Sequence, residues 1–552
     1  MLERWSQTIV KGWGQPEVRA LIWLLLGGFV IRSVIAFWLP PGFDEAYYYL
    51  YTQNLDWSYF DHPMMVAFST GLGPWLTGDV SQFTIRLGSL LLYTGSLFFL
   101  YRTSVRLFSA RAGGLTVAIA SLIPIFAVGF GVLTLPDSPL IFFWSAGLYV
   151  AVEEFFRQPD YRPSYRLAII GLLVGLACLS KYHGLAIGFG FVGFCLTSAR
   201  HRSALRSPWM LLAVGLFLLA LLPIVYWNTQ HDWVSLRYQS GRAVPDRGYS
   251  LLELLGTVLI GVAYLFPTFG FPLWWVSLRE WGKQWRRQKA GFALRLSPKG
   301  GKRQEGREGG TRLILWVSLP LMLGFTLMGG YRPILPTWAM PGFWGATLLL
   351  GARAAEWQTR SPKRVKRWLW GSGLVIVTLL LVALLHLSLG TLQKPSRFAW
   401  FGGLIPANAD ASVQLVDIQQ IRQGFKESPE LKTALEQADF VFTSEIFLAG
   451  QVGMAIAPLN PPPITCFNDD LRGFAFWSSA EEWVGKNGLY VTSERLPDVS
   501  DYQSYFQRIQ AIGEIPIQRG GETVEVMRVY EGTNLLKPFP RPNDVNRSTR
   551  LR

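Results

Sequence analysis

Two adjacent carboxylates, Asp44-Glu45, stand a few residues beyond the first hydrophobic run, and Asp56 and Asp61-His62-Pro63 follow in the same stretch. A carboxylate so placed can accept a proton from an incoming hydroxyl or ligate a cation. The same residues also suit an acidic loop start with no further role. Asp137 lies in Thr134-Leu135-Pro136-Asp137-Ser138-Pro139, where the proline rings hold it rigidly. It can equally cap the helix that follows. Lys181-Tyr182-His183 divides two short hydrophobic runs, and a cation there can neutralise a phosphate or snorkel to a lipid interface. His231-Asp232-Trp233 with Arg237 follows a later run and reads either as part of a site or as an interfacial helix anchored by Trp233. Arg332 occupies a very short link at 331–336 and is a further candidate for a phosphate contact. His386 stands in an apolar run with no evident partner and reads as a satisfied core histidine. Arg32, inside the first run, demands a partner or an aqueous cavity.

The sequence contains no phosphate-cradling Gly-rich loop, no Cys/His metal spacing and no serine nucleophile elbow. Its three cysteines, Cys178, Cys195 and Cys466, make no disulfide framework. No metal site is expected from ligand spacing, although Asp44, Glu45 and Asp137 together could hold a divalent cation.

Hydrophobic runs must position these groups. The chain of 552 residues is 50% hydrophobic and only 16% charged, against about 25% for soluble proteins. Aromatic residues reach 14%, with 23 Trp, as suits helices ending at two lipid–water interfaces. About twenty apolar residues cross the hydrocarbon layer. Eleven runs qualify: 20–39, 84–101, 112–130, 139–156, 167–180, 184–199, 209–227, 251–278, 313–329, 338–351 and 368–390. The fifth and sixth are split at Ser180-Lys181 because a lysine at the bilayer centre costs about 2.5–3.5 kcal/mol. The first run has no small-residue cleavage site and reads as a retained helix.

Charge sets the orientation. With the N-terminus inside, the inner segments carry about 29 Lys/Arg and the outer loops about five, a bias that marks the inner side as cytoplasmic. The net charge of +15 therefore belongs to topology, not to nucleic acid: 391–552 has 16 Lys/Arg against 19 Asp/Glu. An odd span count puts that tail outside. The expectation is a mainly α, polytopic protein of the cell (inner or plasma) membrane, with a small extracytoplasmic α/β domain. Residues 1–392 would form the membrane domain, with a first outer loop at 40–83, and 393–536 the tail domain. Residues 537–552 and the Gly/Lys/Arg/Glu run 299–310 read as disordered. In the tail, 440–443, 489–492 and 524–529 read as strands, and 446–456 and 502–512 as helices.

The convergence of acids, cations and imidazoles on outer loops suits a lipid-anchored substrate with a charged head. At this point the chain resembles the GT-C glycosyltransferases of the protein O-mannosyltransferase and bacterial aminoarabinose lipid A transferase types. The resemblance runs through Phe43-Asp44-Glu45-Ala46-Tyr47-Tyr48, Tyr59-Phe60-Asp61-His62-Pro63, Pro136-Asp137-Ser138-Pro139-Leu140, Leu179-Ser180-Lys181-Tyr182, Trp227–Trp233 and Pro336-Thr337-Trp338. It implies sugar transfer from an undecaprenyl or dolichyl phosphate sugar to an acceptor outside the cytoplasm, which could be a lipid, a glycan or a protein. Asp44 matches the catalytic aspartate, and Glu45 and Asp137 match acidic positions nearby. His62 departs from the pattern, standing where the aminoarabinose transferases carry a phosphate-contacting lysine. That contact then falls to Lys181, Arg237 or Arg332, with Asp61, Tyr182, His183 and His231 lining the substrate site. The alternative class is a polytopic lipid or sugar transporter, which would need ionisable groups near the bilayer midplane and repeated broken helices.

Overall fold

The computed structural model describes residues 16–242, 244–245, 247–293, 302–415, 417–497 and 499–541. Each of the eleven hydrophobic runs is helical over most of its length. Among the described residues six helices are long and apolar enough to cross a membrane: Val18–Trp38, Thr84–Leu107, Asp137–Phe156, Pro208–Gln230, Gly306–Met328 and Pro362–Leu389. Shorter apolar helices at Ala110–Leu122, Arg166–Ser180 and Tyr182–Thr197 pack among them. Met340–Arg360 runs through the interior, buried along nearly all of its first fifteen residues. The first and last spans leave Trp23, Val30, Phe37, Leu374, Val377 and Leu379 exposed, as lipid-facing surfaces do. The chain is a multi-pass membrane protein.

Two of the expected spans are not continuous. The run 251–278 is two helices, Leu251–Tyr264 and Pro267–Arg287, bent by 115°. The break falls at Phe266, which takes φ +65 directly before Pro267, a neighbour that disfavours helical backbone. The run 112–130 stops as an α-helix at Leu122, and resumes after Pro124 as a π-helical turn at Ile125–Phe130. Arg32 has its partner: its guanidinium donates to Thr94 Oγ1 (3.0 Å) and lies 4.7 Å over the Tyr93 ring.

The segment between the first two spans is mostly helix: α2 (Phe43–Gln53) and α3 (Met65–Thr77) follow α1 (Pro16–Trp38). Above them sits the tail. Its five-stranded sheet has the order β4-β3-β5-β7-β6, with β3 (Phe440–Thr443), β4 (Ile464–Cys466), β5 (Gly488–Ser493), β6 (Phe506–Arg519) and β7 (Glu522–Leu535). β3 is parallel to β4 and β5, whereas β7 is antiparallel to β5 and β6. The three expected strands are present, and 446–456 is the helix expected. The helix expected at 502–512 is instead a 3-10 turn, Val499–Tyr505, leading into β6.

Two stretches expected to be disordered are partly ordered. Lys302–Met328 is one helix, so 302–310 is helical, while 294–301 lie outside the described residues. Residues 537–541 pack on the tail: Phe539 stacks on Phe467 at 4.9 Å, and Arg541 donates to Ala475 O (3.2 Å). Residues 542–552 lie outside the described residues.

The tail and the outer segment share one core. Tyr47, Leu50, Tyr51, Val66 and Ile85 pack in the same cluster as Ile421, Phe425, Val452, Leu489 and Val529. Helix Ile446–Ile456 comes so close to α2 that a side chain at Gly450 would meet the Tyr47 backbone nitrogen at 2.5 Å. Gly473 N donates to Tyr47 Oη (2.9 Å), and Arg422 reaches across to Val80 O (2.8 Å).

Candidate active site

Asp44 occupies the first turn of α2, which starts after extended Gly42. Its side chain reaches the surface, yet loss of solvation among the surrounding residues, followed by the Asp61 and Glu45 carboxylates, pushes its pKa up to about 6. Arg472 and Lys181 pull the other way and stand close enough to be felt. The next residue has a different fate. Glu45 is buried and takes a fork from fully buried Arg86, with Nε on Oε1 at 2.8 Å and Nη2 on Oε2 at 2.6 Å. Its oxygens also accept from Gly42 N (2.8 Å) and Thr134 N (2.9 Å). Arg86 donates onward to Ala36 O, Leu39 O and Pro40 O. The pair therefore rivets the end of α1, the start of α2 and the loop before Asp137, and it fixes the backbone that presents Asp44.

Asp61 is buried, accepts from Tyr51 Oη and has Arg472 Nη1 at 3.8 Å. Burial raises its pKa, opposed by Arg472 and Tyr51. His62 lies edge-on to Tyr48, and its buried Nδ1 has no hydrogen-bond partner among the described residues. Burial, followed by the charges of Lys181 and Arg242, holds its pKa well below the usual imidazole value, so His62 is neutral at pH 7. Asp137 is held by Lys181 Nζ at 2.8 and 2.9 Å in a buried pair. His183 stacks on Phe325 at 5.0 Å, and neither of its ring nitrogens has a hydrogen-bond partner among the described residues. Tyr182 Oη shares a hydrogen bond with Ser235 Oγ (2.7 Å).

Asp44, Asp61, His62, Lys181 with Asp137, and His183 thus share one electrostatic neighbourhood. Other candidates stand apart from it. His231 stacks on Trp227 at 4.1 Å, and Phe476 of the tail lies 5.1 Å from its ring. Arg332 donates to Gly241 O (3.0 Å) and Val244 O (2.9 Å), holding the loop that follows helix Val234–Gly241. Arg237 is exposed on that helix, its amide bonded to Trp233 O (2.9 Å). Neither His231, Arg237 nor Arg332 is among the main charges felt by Asp44 or His62.

Two cations that carried no sequence signal belong to the neighbourhood. Arg242 lies 4.8 Å over the Trp338 ring and 5.3 Å over the Tyr238 ring. Arg472 comes from the tail, lies 5.2 Å over Phe447 and bonds Asp470 at 3.3 Å. Asp44, Glu45 and Asp137 do not form a common donor set for a cation, because Arg86 and Lys181 hold two of the three. Among the described residues no group of three His, Cys, Asp or Glu side chains is arranged for a metal ion.

Parts of the chain and its overall fold resemble known proteins. Residues 61–227 match the family model for dolichyl-phosphate-mannose-protein mannosyltransferase. A lipid A galacturonosyltransferase, RgtD, of Rhizobium johnstonii is 26% identical over 307 residues, covering 55% of this chain and 59% of that protein. An undecaprenyl phosphate-alpha-4-amino-4-deoxy-L-arabinose arabinosyl transferase of Erwinia tasmaniensis is 22% identical over 336 residues, covering 56% of this chain and 53% of that one. The chain thus spans less than two thirds of the length of these curated relatives. The crystal structure of ArnT from Cupriavidus metallidurans in the apo state superposes with a TM-score of 0.59 at 14% identity, covering 94% of this chain and 98% of that one. The fold is of the GT-C type. Asp44 stands on α2, against which the tail packs, and the fold that the resemblance implies is borne out.

Proposed function

We propose that this GT-C protein is a membrane glycosyltransferase that moves a sugar from a polyprenyl-phosphate donor to an acceptor hydroxyl, with Asp44 as the base. The observation that carries the reading is Asp44 itself. It is a carboxylate with a pKa of about 6, presented by a buried ion pair, with Arg472 and Lys181 near enough to act on it. The names of the relatives, and the solved structure of ArnT bound to undecaprenyl phosphate, support the donor class. On the orientation set by the basic loops, the N-terminus is cytoplasmic and Asp44 lies on the extracytoplasmic face of the cell membrane.

In this mechanism the Asp44 carboxylate takes the acceptor's hydroxyl proton as the oxygen attacks the anomeric carbon. The bond from that carbon to the phosphate oxygen breaks, and polyprenyl phosphate leaves as an anion without a separate acid. A single displacement inverts the anomeric centre. Arg242 serves as the main phosphate cation: its guanidinium lies over the Trp338 ring at 4.8 Å, and its fork suits phosphate oxygens. Lys181, although paired with Asp137, still acts on Asp44 and His62, and neutral His62 and His183 supply ring donors to the head group. The direct test incubates purified protein with radiolabelled polyprenyl-phosphate sugars. Release of free polyprenyl phosphate together with acceptor labelling supports the reading. Vectorial movement of intact donor without release would replace it with a transporter.

Two expectations arise here. Only the deprotonated carboxylate is a base, so kcat/KM should rise with pH through about 6 and level off above it. An initial-rate profile that is flat from pH 5 to 8 would remove Asp44 from the role. Arg242→Gln should weaken donor binding roughly 10- to 100-fold, since a charged hydrogen bond is worth about 1.5–3 kcal/mol. An unchanged donor affinity in a binding titration would exclude Arg242 as the phosphate contact.

A further inference from the structure

A short turn just past the last span points its apolar side chains away from the protein. Helix Pro362–Leu389 ends at Gly390, which takes a left-handed conformation. The chain then folds back, so that β1 (Gln393–Lys394) lies parallel to β2 (Ile405–Pro406). Trp400 N donates to Thr391 O (2.7 Å), Leu404 N to Leu392 O (2.8 Å), and Arg397 N to Gly520 O (2.8 Å) at the tip of the β6–β7 hairpin. The backbone is therefore fixed at both ends and tied to the tail. Its side chains are not covered: Phe401 is 95% exposed, Leu404 65%, Phe398 52% and Trp400 40%.

An ordered apolar cluster of this kind marks an interaction surface. Two features identify what covers it. The turn begins where the lipid-facing side of the last span, with exposed Leu379 and Leu381, ends. Exposed Lys394 and Arg397 flank it. Aromatic side chains beside Lys and Arg are the composition of the boundary between acyl chains and head groups.

We propose that residues 396–404 form a wedge in the leaflet on the tail's side, with Phe401 among the acyl chains and Lys394 and Arg397 at lipid phosphates. The wedge holds the β6–β7 hairpin, and with it the tail, at a set height above the bilayer. This inference is independent of the sugar-transfer reading.

The test uses the full chain in nanodiscs of phosphatidylethanolamine and phosphatidylglycerol, with a spin label at Phe401→Cys. The native cysteines Cys178, Cys195 and Cys466 are buried, so the introduced thiol is the reactive one, and its exposure spares the fold. Leu379→Cys serves as the lipid reference and Lys426→Cys, exposed on the tail, as the aqueous one. Collisions with oxygen should exceed those with a water-soluble nickel chelate at 401, several-fold and as at 379, with the reverse at 426. A label at 401 that behaves like the one at 426 overturns the proposal. Spin–spin broadening that vanishes on dilution with unlabelled protein would assign the turn to a second copy of the chain and overturn it as well.

Discussion

Asp44→Asn is expected to lower kcat by roughly two to four orders of magnitude, the usual contribution of a positioned general base. Asparagine keeps the shape of the side chain but cannot take the proton. The substitution should leave folding intact, because Asp44 is exposed and the structural bonds of this turn belong to Glu45. Donor binding should persist or tighten slightly, since removing a negative charge near a phosphate reduces repulsion. The separation of kcat from donor affinity is the diagnostic feature: loss of both together would mean that Asp44 shapes the site without acting on the proton. Turnover near wild type would end the assignment.

Arg86→Met is expected to act on stability first. Arg86 uses its guanidinium on both Glu45 oxygens and on three carbonyls, with no exposure to solvent. Removing one member of a buried pair leaves an uncompensated charge and costs about 3–5 kcal/mol. The melting midpoint in detergent should fall by many degrees, or the protein should fail to extract as a monodisperse species. Glu45→Met should do the same. The double replacement should be less damaging than the sum of the two, because no lone charge remains. Single variants that melt with the wild type would show that the pair does not hold the start of α2.

These expectations show which parts of the site could be read from sequence. Asp44, Asp137 and Lys181 are legible because each stands at the edge of an apolar run, and Asp61 and His62 because they fall in the motif Tyr59-Phe60-Asp61-His62-Pro63. Glu45 was misleading for the same reason: adjacency to Asp44 suggested shared chemistry, whereas the helical turn points it inward to a partner 41 residues away. Arg242 and Arg472 had no motif, and only folding brings them to the acids. His386 was read as a core histidine without a partner, and its partner is Asp410, 3.0 Å away in the tail.

The fold shows the same division. Helical runs announce themselves by length and hydropathy, but breaks depend on single residues such as Phe266 before Pro267. The strand β6 was mistaken for a helix because Phe506, Ile509 and Ile512 recur every three residues, as on a helix face. In the structure the stretch pairs with β7 from Phe506 to Arg519, and the tertiary partner outweighs the local pattern.

The shared core of α2 and the tail has a further consequence. Residues 400 positions apart in the chain answer to a single packing constraint, so the tail is no separable cap that can lift to admit a substrate. For the proposed reaction this means that the donor reaches Asp44 without the tail lifting away from α2.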